Sequence, residues 1–343
     1  MSSVSEPISL RTRSYAADQL QPGYEQLRLA RRDERGPGLH ILLFLATFVT
    51  TAAAGAMHQG FDVLTAPVHL LDGLPYAAAL MSILLFHESG HYVLARLHRV
   101  EATLPFFIPA PPVIFLIGTL GAFIRMRSLP RDRRALFDVG AAGPWAGMLV
   151  AVPVLILGLW LSEVKPSGPT DQGGLFLGDS LLFKALTWLV LGVSSADVTI
   201  VLHPVALAGW VGLLVTALNL LPVGQLDGGH IVYAALGERW HRWISLGTLT
   251  TLVVLGIGGA GTWLVWAVLL SFLGLRHPRL LDVETPLDPR RRLAAAATGV
   301  MFLVTFMPEP FSFSMPRPPI PRHPDAIPVA APAAPLHGWV IPL

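Results

Sequence analysis

The chain has 343 residues and no cysteine. Disulfides and thiolate metal sites are thereby excluded, and any zinc bound here must be held by histidine and carboxylate. Charge is scarce too. Charged residues make up 13% of the chain against 53% hydrophobic, with a mean hydropathy of +0.58. A soluble domain carries about twice that charge, so the composition is that of a membrane protein. A cleavable signal peptide is not expected, because the first 38 residues are polar and Arg-rich, without a short apolar core ahead of small residues. The formal net charge of +2 excludes nothing by itself.

Residues 58–73 and 162–179 contain no arginine, whereas the N-terminal tail and residues 96–134, 238–242 and 276–292 hold nearly all of it. By the positive-inside rule the Arg-rich segments are expected to be cytoplasmic, with the C-terminus outside. The apolar runs between them are 40–56, 74–97, 136–161, 203–221, 244–257, 262–273 and 293–307. They predict an all-α polytopic membrane protein with about six to seven transmembrane helices. Residues 181–193 read as an interfacial helix. Pro105, Pro109, Pro111 and Pro112 argue against a helix, and the β-prone, glycine-punctuated stretch 113–124 suggests a small membrane-embedded hairpin or sheet. The expected domains are a flexible basic cytoplasmic tail (1–38), a membrane-embedded catalytic domain (39–307) and a Pro-rich tail (308–343).

Phe86-His87-Glu88-Ser89-Gly90-His91 sits inside one of these runs, where the only charges from residue 74 to residue 92 belong to the motif. On a helix, residues four apart share a face, so His87 and His91 can offer two imidazole nitrogens to one metal ion. Glu88 lies off that face and can take a proton from water at the ion. Chance H-E-x-x-H matches occur in soluble helices. Within a membrane, two histidines and a glutamate in five residues have no packing use, which favours the metal reading. His87 is about 20 Å from the Arg-poor side at 1.5 Å per residue, which predicts a site in the Arg-rich, cytoplasmic half.

A third ligand should lie at matching depth, and Asn219-Leu220-Leu221-Pro222-Val223-Gly224-Gln225-Leu226-Asp227-Gly228-Gly229-His230 does. Asp227 can complete a two-His, one-carboxylate set with the fourth position left for water. Alone, Asp227 would better be read as the cap of a helix starting near Gly228. Beside the two-His motif, the ligand reading is favoured. Gly143 and Gly147, four apart, are best read as a packing notch between helices.

His87-Glu88-x-x-His91 followed by Asn219-x-x-Pro222-x-x-x-Leu226-Asp227-Gly228 resembles the site-2 protease family of intramembrane zinc metalloproteases, over about residues 74–307. The stretches 118–122 and 136–144 add to it. With no PDZ-like insertion between the third and fourth runs, the chain looks like the PDZ-less bacterial and plastid branch. The resemblance implies that His87, His91 and Asp227 bind one zinc ion per chain, that Glu88 is the general base, and that Asn219 holds the substrate carbonyl or oxyanion. It also implies that the strand 117–124, with Ile117, Gly118, Thr119, Leu120 and Gly121, offers an edge to an unwound substrate segment. Expected partners are a transmembrane protein substrate and the lipid bilayer, not nucleic acid. The expected location is a bacterial inner membrane, with the active site toward the cytoplasm. A non-catalytic zinc-binding membrane protein or transporter, and a scaffold with His87 and His91 hydrogen-bonded between helices, are the alternatives. Glu88 and Asn219 count against the first of these.

Overall fold

A computed structural model describes residues 36–166, 174–193, 198–275, 277–278, 280, 282, 284–314 and 340–342. Most of the tails expected at 1–38 and 308–343 lies outside these residues. The site lies wholly within the compact unit Leu42–Leu343.

The chain is mostly helical, as expected, and its helices start and stop where proline and glycine dictate. After α1 (Gly38–His58), α2 (Leu74–Leu97) opens with proline in its first turn. The chain leaves α2 through Arg99 at φ 57. α3 (Arg133–Trp160) is capped by Asp132, whose carboxylate accepts the Ala135 N–H at 2.8 Å. α4 (Leu181–Leu191) is capped by Ser180, and α5 (Pro204–Asn219) ends just before Pro222. α6 (Asp227–Leu236) stops at Gly237, where φ is 86°. Glycines separate α7 (Glu238–Ile257) from α8 (Thr262–Leu273), and α9 (Pro289–Thr305) follows. Helices α2, α3, α5 and α6 pack against one another around Leu80, Leu136, Leu155, Trp210 and Tyr233, all buried. Among the described residues two helices, α1 and α3, are long and apolar enough to cross a membrane by length and composition. α2 has the length, but His87, Glu88 and His91 stand in its middle.

The small hairpin suggested by the stretch 113–124 is present, though its strand is shorter than the 117–124 expected. β1 (Phe106–Pro109) pairs antiparallel with β2 (Thr119–Phe123), setting Phe106 opposite Phe123. Pro111 and Pro112 cannot donate to a ladder, and residues 111–118 form the turn, closed by Gly118 at φ +81. That turn is tied down twice. His58 Nε2 lies 2.7 Å from the Leu116 carbonyl, and the Tyr76 hydroxyl donates to the Ile117 carbonyl at 3.2 Å.

Short strands from the Arg-poor stretch 162–179, from Val198–Val201 and from the Pro-rich C-terminal tail come together in a five-stranded sheet. Its order is β3 (Glu163–Pro166), β5 (Val198–Val201), β7 (Val340–Pro342), β4 (Gly174–Leu177), β6 (Phe311–Ser314). Strands this short carry too few residues for a two-residue period to show, and their partners are far apart in sequence. Trp210 Nε1 donates to the Gly178 carbonyl at 2.7 Å, which binds the sheet side to α5.

On the Arg-rich side one carboxylate joins three helices. Asp138 of α3 accepts both Arg291 Nε (2.8 Å) and Nη2 (2.6 Å) from α9, and its Oδ2 lies 2.8 Å from His98 Nε2 at the end of α2. Arg291 also bonds Asp288, the α9 cap, and that hydrogen bond holds the Asp288 carboxyl below its ordinary value. A bidentate, partly shielded pair is worth more than an exposed one. Asp138→Ala is expected to destabilise the protein by about 2 kcal/mol, since it leaves Arg291 partly buried without its main partner. The check is a thermal unfolding midpoint in detergent, which should fall by several degrees.

Candidate metal centre

His87 and His91 stand one turn apart on α2, and the first residue of α6 meets them. Their Nε2 atoms are 3.2 Å apart, and Asp227 Oδ2 lies 3.3 Å from His87 Nε2 and 3.2 Å from His91 Nε2. A tetrahedral zinc ion with bonds of about 2.0–2.1 Å has ligand-to-ligand edges of roughly 3.3 Å. The donor set and its spacing therefore fit zinc. Both imidazoles are buried, at 3% and 7% exposure. His91 Nδ1 is 2.7 Å from the Val139 carbonyl, which can only accept, so the Nδ1 proton is fixed and Nε2 keeps its lone pair for the metal.

Glu88 and Asn219 complete the cluster. Glu88 is buried at 6% exposure, and the backbone N–H of Ile124 faces its carboxylate. Asn219 Nδ2 lies 3.2 Å from His87 Nε2. His87, Glu88, His91, Asn219 and Asp227 line one cavity of about 480 Å³, together with residues 122–129 of the β2 strand end and the segment beyond it. Ile117, Gly118, Thr119, Leu120 and Gly121 do not line it among the described residues. Ile117 and Gly118 belong to the anchored turn, Thr119 Oγ1 donates to the Ile108 carbonyl at 2.8 Å, and Leu120 is 55% exposed.

The local sequence explains why the groups converge. A Cβ at Gly90 would sit 2.4 Å from the Ala142 carbonyl oxygen, so a glycine inside the motif lets α2 lie against α3. A Cβ at Gly143 would sit 2.0 Å from His91 Nε2, and one at Gly147 would sit 3.1 Å from His87 Nδ1. The packing notch read from the sequence is thus filled by the two imidazoles. Asp227 does not cap α6, because the helix cap position is Leu226 and no side chain bonds it; its carboxylate turns to the two imidazoles instead. α6 is instead fixed at its far end. Arg133 donates from Nε to the Ala234 carbonyl (2.7 Å) and from Nη2 to the Ala235 carbonyl (3.0 Å), satisfying acceptors a helix end leaves open. Sequence reading missed Arg133 and Val139, since neither a long-range helix cap nor a backbone acceptor leaves a motif.

Gly143→Ala is expected to lower zinc affinity by roughly tenfold or more, the scale for disturbing groups that orient metal ligands. Gly247→Ala, where a Cβ meets nothing within 4 Å, should leave it unchanged. Metal content of the purified proteins against a competing chelator checks both.

The description Peptidase family M50 matches residues 75–258. The chain is 36% identical over 244 residues to rice (Oryza sativa subsp. japonica) "Probable zinc metalloprotease EGY1, chloroplastic", covering 69% of this chain and 41% of that protein. With the Arabidopsis thaliana EGY1 protein it shares 35% over 244 residues (68% and 43%), and with Arabidopsis EGY2 30% over 250 residues (71% and 43%). It therefore spans under half the length of these curated relatives. Their names place them in the chloroplast, which overturns the expectation of a bacterial inner membrane and, with it, the cytoplasmic placing of the site. The family match covers more than half of the chain and includes both the histidine motif and Asp227: the chain belongs to peptidase family M50, the site-2 protease family.

Proposed function

We propose that this protein is an intramembrane zinc metalloprotease that hydrolyses peptide bonds within or near transmembrane segments of membrane proteins. The observation that carries this is the convergence of His87, His91 and Asp227, with Glu88 and Asn219 lining the same cavity. Zinc, when bound, polarises the scissile carbonyl and activates water for attack. Glu88, next to His87 and off the ligand face, accepts the proton from the attacking water and returns it to the departing nitrogen. The Asn219 amide donates to the carbonyl oxygen as negative charge builds on it.

A transmembrane helix shields its own peptide bonds, so substrate must unwind before attack. Among the described residues β2 belongs to a two-stranded sheet and is sheet-paired along one side only, and its end reaches Glu88 through Ile124. Its other edge, from Thr119 through Leu120 and Gly121 to Ile124, receives the unwound segment, and Ile117 and Gly118 in the anchored turn hold that edge in place. Spans α1, α2, α3, α5, α7, α8 and α9 cross the membrane, and the absence of a PDZ-like unit between α3 and α5 fits the PDZ-less branch. Apolar side chains facing outward support the spans: Leu42, Val49, Leu149, Val254, Phe272 and Leu303 are all exposed. The relatives point to a plastid membrane. The catalytic domain is 39–307, flanked by a basic N-terminal tail and a Pro-rich C-terminal one.

Purified protein should hold about one zinc per chain and cleave a helical transmembrane peptide in detergent, and chelation should abolish cleavage until zinc is restored. Glu88→Gln should keep zinc and lose cleavage by on the order of a hundredfold or more. Asp227→Ala should lose most of the metal. Cleavage by Glu88→Gln at the wild-type rate would sink the mechanism.

Orientation is open to a direct test, since the chain has no native cysteine. Cysteines placed at Glu101 and Arg239 should be labelled from one side of the membrane, and one at Glu163 from the other, following the arginine asymmetry. Labelling of all three from a single side would refute the crossing of α3.

A further inference from the structure

One turn beyond Asp227, on the same face of α6, His230 also lines the metal cavity. Its Nδ1 is 2.7 Å from Nε2 of His277, in the chain between α8 and α9. The other nitrogen of His277, Nδ1, is 2.6 Å from the Pro278 carbonyl. A carbonyl only accepts, so His277 Nδ1 carries the proton. A neutral imidazole has one N–H, so His277 Nε2 must accept, and His230 Nδ1 must donate to it. The proton of His230 is thereby assigned to the side turned toward His277. Its Nε2 is left with a lone pair, and no group among the described residues donates to it. Both rings are partly buried, which disfavours the charged form, and no carboxylate among the described residues hydrogen-bonds either one to offset that. Stacking of Tyr233 on His277, at 4.2 Å between centroids and 24° between planes, holds the second ring in place.

An unwound peptide brings N–H groups as well as carbonyls into the cavity, and each buried N–H needs an acceptor. Asp227 and the two motif histidines are committed to the metal, and Glu88 to the attacking water. Asn219 presents a donor. We propose that His230 is a substrate-binding residue of this site, accepting a backbone N–H of the bound peptide beside the scissile bond, and that His277 is a positioning residue that fixes its tautomer. This rests on the protease reading above, and the two can fail separately.

The probe is a helical transmembrane peptide in which backbone N–H groups flanking the scissile bond are replaced, one at a time, by ester oxygen. Binding is measured to full-length Glu88→Gln protein, so that hydrolysis is not needed. One ester position should weaken binding by about tenfold, the scale of one buried hydrogen bond. In the added His230→Leu variant, that same ester should cost nothing further. His230→Gln, whose amide oxygen can accept from the same face, should restore part of the ester sensitivity. Zinc content should be unchanged throughout. His277→Leu should keep the fold and mix the two His230 tautomers, seen in the ring ¹⁵N shifts. Ester penalties that are the same with and without His230→Leu, or a peptide that does not bind the Glu88→Gln protein, overturn the assignment. Cleavage of the all-amide peptide by the wild-type enzyme decides the protease reading on its own.

Discussion

Two imidazoles of α2 lie against the glycine face of α3, and the rest of the centre follows from that contact. Only with Gly90, Gly143 and Gly147 can the two helices come close enough for His91 to reach the Val139 carbonyl while its other nitrogen stays beside His87. Once α2 and α3 are fixed in this way, α6 needs only one correct placement to deliver a carboxylate. Arg133, from the first turn of α3, supplies it by holding the carbonyl end of α6. One helix therefore orients both histidines and the aspartate, and their convergence depends on the backbone of α3 more than on the ligands themselves.

What could be read from the sequence divides along physical lines. His87, Glu88 and His91 were legible because a polar cluster in an apolar run has no cheap alternative. Asp227 was legible because proline and glycines break the chain at the depth of the motif. α2 was legible to the residue, Leu74–Leu97, since a long apolar run between loops has one reading. Short strands were not legible. Val198–Val201 and Phe311–Ser314 enter one sheet from distant parts of the chain, and nothing local announces such partners. Nor was the company of His230 visible, because His277 stands 47 residues away. Gly143 and Gly147 were half legible: their spacing spoke of close packing but not of what packs there.

The hairpin illustrates how a weakly stable element can be held still beside a centre. A two-stranded ribbon is marginal by itself. Here Phe107 lies edge-on against Phe44 of α1 at 5.0 Å, and the turn is bonded to His58 and Tyr76. Beyond β2, the Arg127 N–H donates to the Glu101 carbonyl at 2.7 Å, so the ribbon stays closed past the cavity. Both ends are tethered, and the middle faces Glu88.

The missing cap on α6 has an electrostatic consequence. A helix carries roughly half a positive charge at its N-terminus, from amide groups that no carbonyl of the helix satisfies. In α6 that end coincides with Asp227 and opens on the cavity, with Leu226 contributing no side-chain acceptor to quench it. The same short helix that brings Asp227 to the two imidazoles thus aims a fixed dipole into the cavity they line. Among buried side chains that field is screened little, and it is built into the fold rather than assembled on binding.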